Sequence, residues 1–363
     1  MTSFNIGHNL TVQIFGQSHA EAIGAVVDGL PAGKTIDLAQ VERFMDRRAP
    51  GKNAFSTARR EADRPEILSG LLEGVTTGTP VCAVIRNTNT RSGDYANVLT
   101  VPRPGHADYP AWVKFGGKND VRGGGAFSGR MTAPLCFAGA LCLQLLAEKG
   151  VAVHAHIQSI AGIPDRTVDP CHPDMAALRA AGEKEFPTLS DEAGGQMRDA
   201  IAQARAEGDS VGGVIECVAT GLPVGLGSHM FGGVENRLSA ALFGIPAVRG
   251  VEFGAGFAAA AMRGSHHNDS YRLEDGKVVT TKNDHGGVLG GMTTGMPLVF
   301  RVAVKPTPSI AQSQLSVELT AMEETELTVH GRHDPCIVPR AVPVVEAVAA
   351  IVLADLFLDE GTL

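Results

Sequence analysis

Two short segments near the start of the chain carry the hydrophobic patterns of paired strands. Residues 10–15 alternate apolar and polar side chains as a half-buried strand does, and residues 23–27 form a short apolar run. Together they predict a hairpin-like pair. The small polar segment between them, residues 16–20, places Ser18 and His19 on the connecting turn. Because loops carry function more often than strands do, this turn is a candidate functional segment.

The same patterns predict further strands and helices along the chain. β-branched residues dominate four predicted strands, at 81–85, 151–157, 211–218 and 298–304. Helical spacing and end signals predict a helix capped by Asp37 and running to Arg48, and further helices at 131–149, 175–182, 191–207 and 342–357. Long gaps between the strands, partly filled by helices, favour an α+β fold with sheets and helices in layers. Since no disordered linker interrupts the pattern, residues 1–363 are expected to form one domain.

One segment of the chain resembles another. Residues 24–33 and 213–225 each consist of an apolar strand followed by Gly-Leu-Pro-x-Gly. This similarity predicts an internal pseudo-repeat with two halves of similar build, although short apolar matches also arise by chance.

Composition narrows the classes of function. Of the 363 residues 44% are hydrophobic, which is enough to fill a large core. A formal net charge of −8, with one Trp and three Tyr, argues against nucleic-acid binding. Any bound anion must therefore be held by local arginines.

Cysteine spacing and the apolar segments indicate a cytoplasmic protein. The six cysteines include no C-x-x-C pair, and the N-terminus lacks a signal-peptide pattern, so neither zinc nor a disulfide framework is expected. The longest apolar stretch, residues 131–147, is slightly short for a membrane span and contains Pro134 and Gly139. We interpret it as a buried helix and expect no membrane association.

A glycine-rich segment concentrates the candidate chemistry. Arg122-Gly-Gly-Gly-Ala-Phe-Ser-Gly-Arg130 follows closely on Arg103-Pro-Gly-His-Ala-Asp108. Consecutive glycines can adopt positive φ and bring backbone N–H groups close to a ligand, while Arg122 and Arg130 offer planar donors that match phosphate or carboxylate. The segment predicts one wall of a phosphate-binding site, the alternative being an ordinary glycine turn.

The neighbouring histidines His266 and His267 are the strongest metal candidate in the sequence. In an extended segment adjacent side chains point to opposite sides, and no third ligand has suitable spacing. We therefore predict no metal site.

Taken together, motifs spread over nearly the whole chain resemble the chorismate synthase family. In the first third they are Gly16-Gln-Ser-His19, Asp46-Arg-Arg48-x-Pro-Gly51, Arg59-Arg-Glu61, Gly74-Val-Thr-Thr-Gly78, Arg91-Ser-x-Asp94-Tyr95 and Arg103-Pro-Gly-His106. Later in the chain they are Arg122-Gly-Gly-Gly125, Ser128-x-Arg130, Ile245-Pro-Ala-Val248, Gly286-Gly-x-x-Gly290-Gly, Lys305-Pro-Thr307 and Gly331-Arg-His-Asp-Pro-Cys336.

The resemblance implies a β-α-β sandwich, a homotetramer with one active site per subunit, and a lyase of the shikimate pathway of aromatic amino acid biosynthesis. The implied reaction is the anti-1,4 elimination of phosphate and a ring proton from 5-enolpyruvylshikimate 3-phosphate, which gives chorismate. Reduced FMN (FMNH2) is implied as the cofactor, without net redox change. In the family the flavin lends an electron to the substrate and recovers it.

Three catalytic residues follow from the resemblance. His19 would protonate the departing phosphate, a role that suits an imidazole with a pKa near 6.5. His106 would protonate or stabilise the reduced flavin at its N1 side. Asp334 would assist the base, which the family assigns to flavin N5.

Binding residues are likewise implied by the matching positions. Lys305 can meet the FMN phosphate, and Gly290 permits close approach of the backbone to the flavin ring. The implied cofactor contacts are Ala126, Phe127, Ser128, Pro246, Ala247, Gly290, Lys305, Pro306, Thr307, Pro308, Ser309 and Arg332. The implied substrate or NADP contacts are Arg48, Ala54, Arg130 and Arg332.

Some positions differ from the usual family pattern and keep two alternatives open. Gln17, Ala20, Ala54, Ala126 and Phe127 replace the residues usual in the family. The alternatives are an NADPH-dependent flavin reductase and a non-catalytic flavin-binding paralogue. Retention of all three catalytic residues favours an active enzyme.

The source of the reduced flavin and the loops around the substrate are two further properties of the site. The motifs do not distinguish an enzyme that reduces its own flavin with NADPH from one that relies on an external flavin reductase. Two loops, residues 51–60 and 91–98, are polar enough to be mobile lids, but the sequence does not show which of them closes over the substrate.

Overall fold

The structure is a computed structural model that describes residues 4–51, 61–89, 97–329 and 334–363. The helices are α1 (Leu38–Arg48), α2 (Asp108–Phe115), α3 (Thr132–Glu148), α4 (Met175–Glu183), α5 (Asp191–Ala206), α6 (Val234–Leu242), α7 (Gly264–His267) and α8 (Val338–Asp359). The first ten strands are β1 (Asn5–Ile6), β2 (Thr11–Gly16), β3 (Ala22–Asp28), β4 (Pro65–Ser69), β5 (Leu71–Leu72), β6 (Val75–Thr76), β7 (Val81–Arg86), β8 (Ala152–Ile160), β9 (Ile163–Pro164) and β10 (Gly213–Thr220). The others are β11 (Val224–Gly227), β12 (Val248–Phe253), β13 (Tyr271–Glu274), β14 (Lys277–Thr280), β15 (Val288–Leu289), β16 (Met292–Thr294), β17 (Leu298–Val304), β18 (Gln314–Glu318) and β19 (Glu323–Leu327).

Two antiparallel five-stranded sheets form the outer layers of the fold. The first has the order β1-β2-β3-β7-β4 and the second the order β12-β17-β10-β8-β9. The predicted hairpin is confirmed, since β2 and β3 pair from Thr11 opposite Asp28 to Gly16 opposite Ile23. The predicted helix cap is also confirmed, because the Asp37 side chain accepts a hydrogen bond from the backbone N–H of Gln40.

Helices α3 and α8 form the inner layer between the two sheets. They pack against each other, α3 against β2 and β3 and α8 against β8 and β10. A β-carbon added at Gly139 of α3 would lie 2.3 Å from the β-carbon of Ala347 in α8, so glycine permits the close contact of the two helices. The layers confirm the predicted α+β sandwich.

The apolar composition of these two helices is explained by their burial. The helical segment Arg122–Glu148 and α8 are each long and apolar enough to cross a membrane. However, 72% and 89% of their most apolar windows are buried inside the protein. The apolar stretch at 131–147 is thus a core helix, as its sequence predicted.

The pseudo-repeat has a structural counterpart. Residues 24–33 include most of β3, and residues 213–225 begin with β10. Each of these strands is the middle strand of its five-stranded sheet, and each packs on one inner helix, β3 on α3 and β10 on α8. The two matching segments therefore lie at equivalent places in two similar halves.

The segment around His266 and His267 differs from its prediction. We expected it to be extended, but both histidines lie in the short helix α7, where the N–H of Asn268 bonds to the carbonyl of Gly264. The ring of His267 contacts His285 edge-on at 4.3 Å between centroids. The helical turn of α7 and the contact between the rings of His267 and His285 therefore replace the extended backbone that the sequence predicted. Among the residues that the structure describes, no group of three or more His, Cys, Asp or Glu is arranged to hold a metal.

Candidate active site

A cavity of about 540 Å³ lies where several separate segments of the chain meet. It is walled by the end of α1, the loop before α2, the glycine-rich segment, the residues that enter β12, the residues that leave β17, and the start of α8. The predicted site residues in its wall are Arg48, His106, Ala126, Phe127, Ser128, Arg130, Pro246, Ala247, Lys305, Thr307, Pro308, Ser309 and Asp334.

Three predicted residues are not part of this wall. His19 lies behind the glycine-rich segment, and Pro306 lies between two wall residues. Gly290 lies on the turn between β15 and β16 and does not line the cavity. Ala54 and Arg332 fall outside the described residues, as do most of the loops at 51–60 and 91–98.

The glycine-rich segment has the left-handed backbone that its sequence predicts. Gly123, Gly124 and Gly125 have φ of 61°, 85° and 53°. A β-carbon at Gly123 would lie 2.3 Å from Cε1 and Nδ1 of His19. The segment is joined to the β2–β3 turn by the N–H of Ser18, which donates to the carbonyl of Gly125 at 3.2 Å. Bare glycine backbone therefore brings His19 next to the cavity wall.

His106 is held by a buried carboxylate. Its Nδ1 lies 2.6 Å from Oδ1 of Asp108, and Arg103 binds the same carboxylate through Nε (2.7 Å) and Nη2 (2.8 Å). Burial raises the pKa of Asp108, but hydrogen bonds from Arg103 and His106 outweigh it, so the pKa of Asp108 is lowered. An ionised carboxylate beside Nδ1 favours a proton on that nitrogen, which leaves Nε2 on the side of Gly124.

Two of the predicted arginines share a second buried carboxylate. Nη1 of Arg48 lies 2.6 Å from Oδ2 of Asp63, and Nη1 of Arg130 binds Oδ1 of the same residue. Burial raises the pKa of Asp63, but the two guanidinium groups outweigh it and lower that pKa. Asp63 therefore stays ionised between the two cations.

Asp334 is linked to an arginine at the start of α8. Nη1 of Arg340 donates to Oδ2 of Asp334 at 2.9 Å, and Nε of Arg340 donates to the carbonyl of Arg48 at 3.1 Å. The hydroxyl of Thr307 donates to the backbone carbonyl of Asp334 at 2.6 Å. Desolvation by burial lowers the pKa of Arg340, although Asp334 opposes that effect.

Neighbouring arginines in the sequence have different roles. Arg122 lies outside the cavity wall and forms a paired contact with Asp120, so the prediction that it binds an anion beside Arg130 is not supported.

Arg47 binds the buried carboxylate of Glu346 in α8 at 2.6 and 2.9 Å, whereas Arg48, the next residue, lines the cavity.

Four functional side chains were not assigned from the sequence. Arg103 and Asp108 lie in the same short motif as His106, but their mutual pairing could not be read from spacing. Asp63 follows Glu61 by two residues, and Arg340 follows Asp334 by six, in the first turn of an apolar helix. What these residues share in the sequence is a charge within a segment that is otherwise buried. Because buried charges are paired, each such residue indicates a partner of opposite charge elsewhere in the fold.

The residues that depart from the family pattern fit their surroundings. Ala20 does not have a positive φ, so the turn between β2 and β3 does not require glycine at position 20. The carbonyls of Gln17 and Ala20 both accept hydrogen bonds from the amide of Asn87. Phe127 lines the cavity with 42% of its surface exposed.

The cavity wall is strongly cationic. Its described charged residues comprise one carboxylate, Asp334, and the cations Arg48, Arg103, Arg130, Arg249, Lys305 and Arg340. Asp63 and Asp108, which do not line the cavity themselves, neutralise part of this charge by pairing with wall arginines. A chain with a net charge of −8 thus builds a local site for a ligand that carries several negative charges.

Comparison with known proteins decides the family. The family model for chorismate synthase matches residues 10–358. The chain belongs to the chorismate synthase family. A chorismate synthase of Dehalococcoides mccartyi (strain BAV1) is 47% identical over 359 residues, which covers 99% of this chain and 98% of that protein. One of Thermococcus gammatolerans is 48% identical and covers 96% of both chains. A crystal structure of a chorismate synthase is 29% identical, covers 98% of this chain and 93% of that chain, and gives a TM-score of 0.77.

These findings establish the function as that of a chorismate synthase, a lyase of the shikimate pathway that releases phosphate. The resemblance identified from the sequence motifs is confirmed, and neither the flavin reductase nor the non-catalytic paralogue is favoured.

Proposed function

We propose that the cavity is where 5-enolpyruvylshikimate 3-phosphate loses phosphate and a ring proton to give chorismate, with reduced FMN as cofactor. The observation that carries the proposal is the convergence of His106, Asp334 and several arginines from distant segments on one cationic cavity. A substrate with one phosphate and two carboxylates requires such a site.

The residues present fit a flavin mononucleotide. Apolar side chains of Phe127, Ile245, Val248 and Ile337 provide a surface for a flat ring system. Lys305 donates to the carbonyl of Gly105 and retains further ammonium hydrogens for a phosphate. Reduced FMN, when bound, would supply a reversible electron transfer that allows phosphate to leave without net oxidation.

His19 is proposed to give a proton to the departing phosphate. Its ring lies against Gly123, where the absence of a β-carbon leaves room for it beside the cavity wall. Neutral pH leaves a substantial fraction of an ordinary imidazole protonated, as a general acid for phosphate requires.

His106 is proposed to act on the cofactor side of the cavity. Asp108 orients its ring, while Arg103 fixes Asp108. The group is therefore able to place a positive charge or a proton where negative charge accumulates.

Asp334 is proposed to assist removal of the ring proton. Arg340 and the hydroxyl of Thr307 fix its carboxylate and its backbone. Because Arg340 also bonds to the carbonyl of Arg48, the position of Asp334 is coupled to the end of α1.

The assembly and the cellular context are proposed as well. We infer a homotetramer of single-domain subunits, each spanning residues 1–363, in the cytoplasm. Exposed large apolar side chains support subunit contacts, since Met230, Phe231 and Phe257 are 69%, 85% and 86% exposed. Gly290, which lies away from the cavity of its own chain, would then have its role at another place in the assembly.

The test is turnover under anaerobic conditions. Purified protein is mixed with 5-enolpyruvylshikimate 3-phosphate and chemically reduced FMN, and both phosphate and chorismate are measured. We expect equal amounts of the two products, and none with oxidised FMN. A folded protein that binds flavin without turnover would overturn the proposal.

The source of reducing equivalents is tested in the same assay. Consumption of NADPH by the isolated protein with oxidised FMN would show that the chain reduces its own flavin. Chorismate formation that requires an added flavin reductase would show the external route.

A further inference from the structure

Asp63 occupies an unusual position beneath the cavity. Its side chain is fully buried, and its backbone has a φ of 49° although it is not glycine. A left-handed backbone costs a non-glycine residue free energy, and such positions concentrate at functional sites. The carboxylate held there touches two arginines of the cavity wall.

The two arginines differ in the donors that the protein leaves for a ligand. Every nitrogen of Arg48 is engaged: Nη1 by Asp63, Nε by Thr132 Oγ1 at 3.1 Å, and Nη2 by the carbonyl of Gly129 at 2.9 Å. Arg48 is therefore fixed by the protein alone.

Arg130 has one nitrogen left over. Its Nε donates to Oδ1 of Asn87 at 2.9 Å, and its Nη1 binds Asp63. Its Nη2 is shielded from water and has no hydrogen-bond partner within the described part of the chain, while the side chain is only 4% exposed. Most buried donors form a hydrogen bond that compensates for the loss of water. Nη2 of Arg130 lacks such a bond, and an oxygen atom of a ligand would provide one.

We propose that Asp63 is a positioning residue that, braced by Arg48, holds Arg130 so that its free nitrogen binds an anionic oxygen of the substrate. The inference rests on the proposed function for the identity of the ligand, whose phosphate and carboxylates share the required chemistry. Arg48 then contributes chiefly as a brace, and Arg130 as the direct contact.

A neutral side chain at position 63 would no longer hold Arg130 in its present direction. In Asp63→Asn the two guanidinium groups would face each other without a shared anion, and their repulsion would turn Arg130 away from its present direction. Substrate affinity would therefore fall, while FMN, which other wall residues bind, would be retained.

The test measures substrate binding separately from turnover. The affinity for 5-enolpyruvylshikimate 3-phosphate is measured by calorimetry with oxidised FMN, and KM and kcat with reduced FMN. The matched control is Glu66→Gln, which also removes a carboxylate from an arginine pair, with Arg86, but at an exposed place outside the cavity.

We expect Asp63→Asn to weaken substrate binding and raise KM by at least about tenfold, with kcat and FMN affinity changed by less than about threefold, because one charge-assisted contact is lost. Arg130→Lys should show the same pattern. Substrate affinity within about twofold of wild type, or an equal loss of FMN affinity, would overturn the inference. If the wild type binds substrate but does not turn over, the proposed function fails while the binding data still test Asp63.

A second variant covers the case in which Asp63→Asn does not fold. Asp63→Gly removes the carboxylate, and glycine adopts the φ of 49° without strain. We expect it to bind substrate weakly and to recover affinity on addition of sodium formate but not of sodium chloride. Failure of formate to restore any affinity, or failure of both variants to fold, would overturn a positioning role.

Discussion

Nδ1 of His106 lies 2.6 Å from Oδ1 of Asp108, and this pair is fixed in turn by Arg103. The carboxylate has a lowered pKa, so it stays ionised and keeps a proton on Nδ1. A short motif, residues 103–108, therefore delivers a histidine of defined orientation to the cavity.

His106→Ala should retain the fold and part of the FMN binding but lose turnover by at least about a hundredfold, the usual size of a proton-transfer contribution. Asp108→Asn should lower kcat in the same direction, because the amide has one acceptor oxygen in place of two and no longer holds both Arg103 and the ring of His106. Steady-state kinetics with reduced FMN measure both. The control is Glu66→Gln, whose carboxylate also pairs with an arginine, Arg86, at an exposed place outside the cavity. Near-normal turnover of His106→Ala would remove this residue from the mechanism.

Gly123→Ala should displace the ring of His19, since the new β-carbon would lie 2.3 Å from it. We expect kcat to fall at least about tenfold while the protein remains folded, because a side chain rather than backbone must move. Gly116→Ala is the matched control, since Gly116 has a similar φ of 58° but no atom within 4 Å of the new β-carbon. Equal effects of the two substitutions on kcat would mean that backbone strain, and not the position of His19, is responsible.

Arg340→Lys should lower kcat/KM by about tenfold, because a lysine cannot reproduce the planar donors that join Asp334 to the carbonyl of Arg48. The measurement is kcat/KM with reduced FMN and varied substrate. Arg64→Lys, at an exposed pair with Glu42, should leave kcat/KM unchanged. An Arg340→Lys enzyme with wild-type kcat/KM would show that Asp334 needs no such support.

His156 gives a pH dependence of stability away from the cavity. It is fully buried between Asp165 and Glu216, each 3.2 Å from a ring nitrogen. Burial lowers the pKa of His156, but the hydrogen bonds that its ring donates to Asp165 and Glu216 outweigh it, so this pKa is raised. The stabilisation is therefore complete below the unfolded pKa of about 6.5 and is lost as pH rises through the folded pKa.

His156→Gln should accordingly destabilise the protein by about 3 kcal/mol at pH 6, since it leaves two carboxylates without their shared cation. The free energy of unfolding of both proteins, from urea denaturation, should converge as pH rises toward 9. A difference that stays constant between pH 6 and pH 9 would contradict a charged His156.

Several of the strands and helices could be predicted because their signal is local. Alternation at residues 10–15, the β-branched run predicted at 211–218 and the Asp37 cap depend on neighbours in sequence, and the structure has β2, β10 and α1 at these places. His266 and His267 were placed in an extended segment wrongly, because a four-residue helix carries too little periodic signal.

The site could be predicted only where a motif carries it. Arg122 and Arg130 look alike in sequence, yet one pairs with Asp120 outside the cavity and the other reaches Asp63 across 67 residues. Asp63, Asp108 and Arg340 were missed because their roles depend on which charges folding brings together. Such pairings are properties of the tertiary structure, and no spacing rule encodes them.

The most direct test is a crystal structure of the protein with oxidised FMN and 5-enolpyruvylshikimate 3-phosphate, a combination that we expect not to react. We predict both ligands in the cavity, with the flavin beside His106 and an anionic oxygen of the substrate on Arg130. Ligands bound elsewhere, with solvent alone between His106 and Arg130, would contradict the assignment of this cavity as the active site.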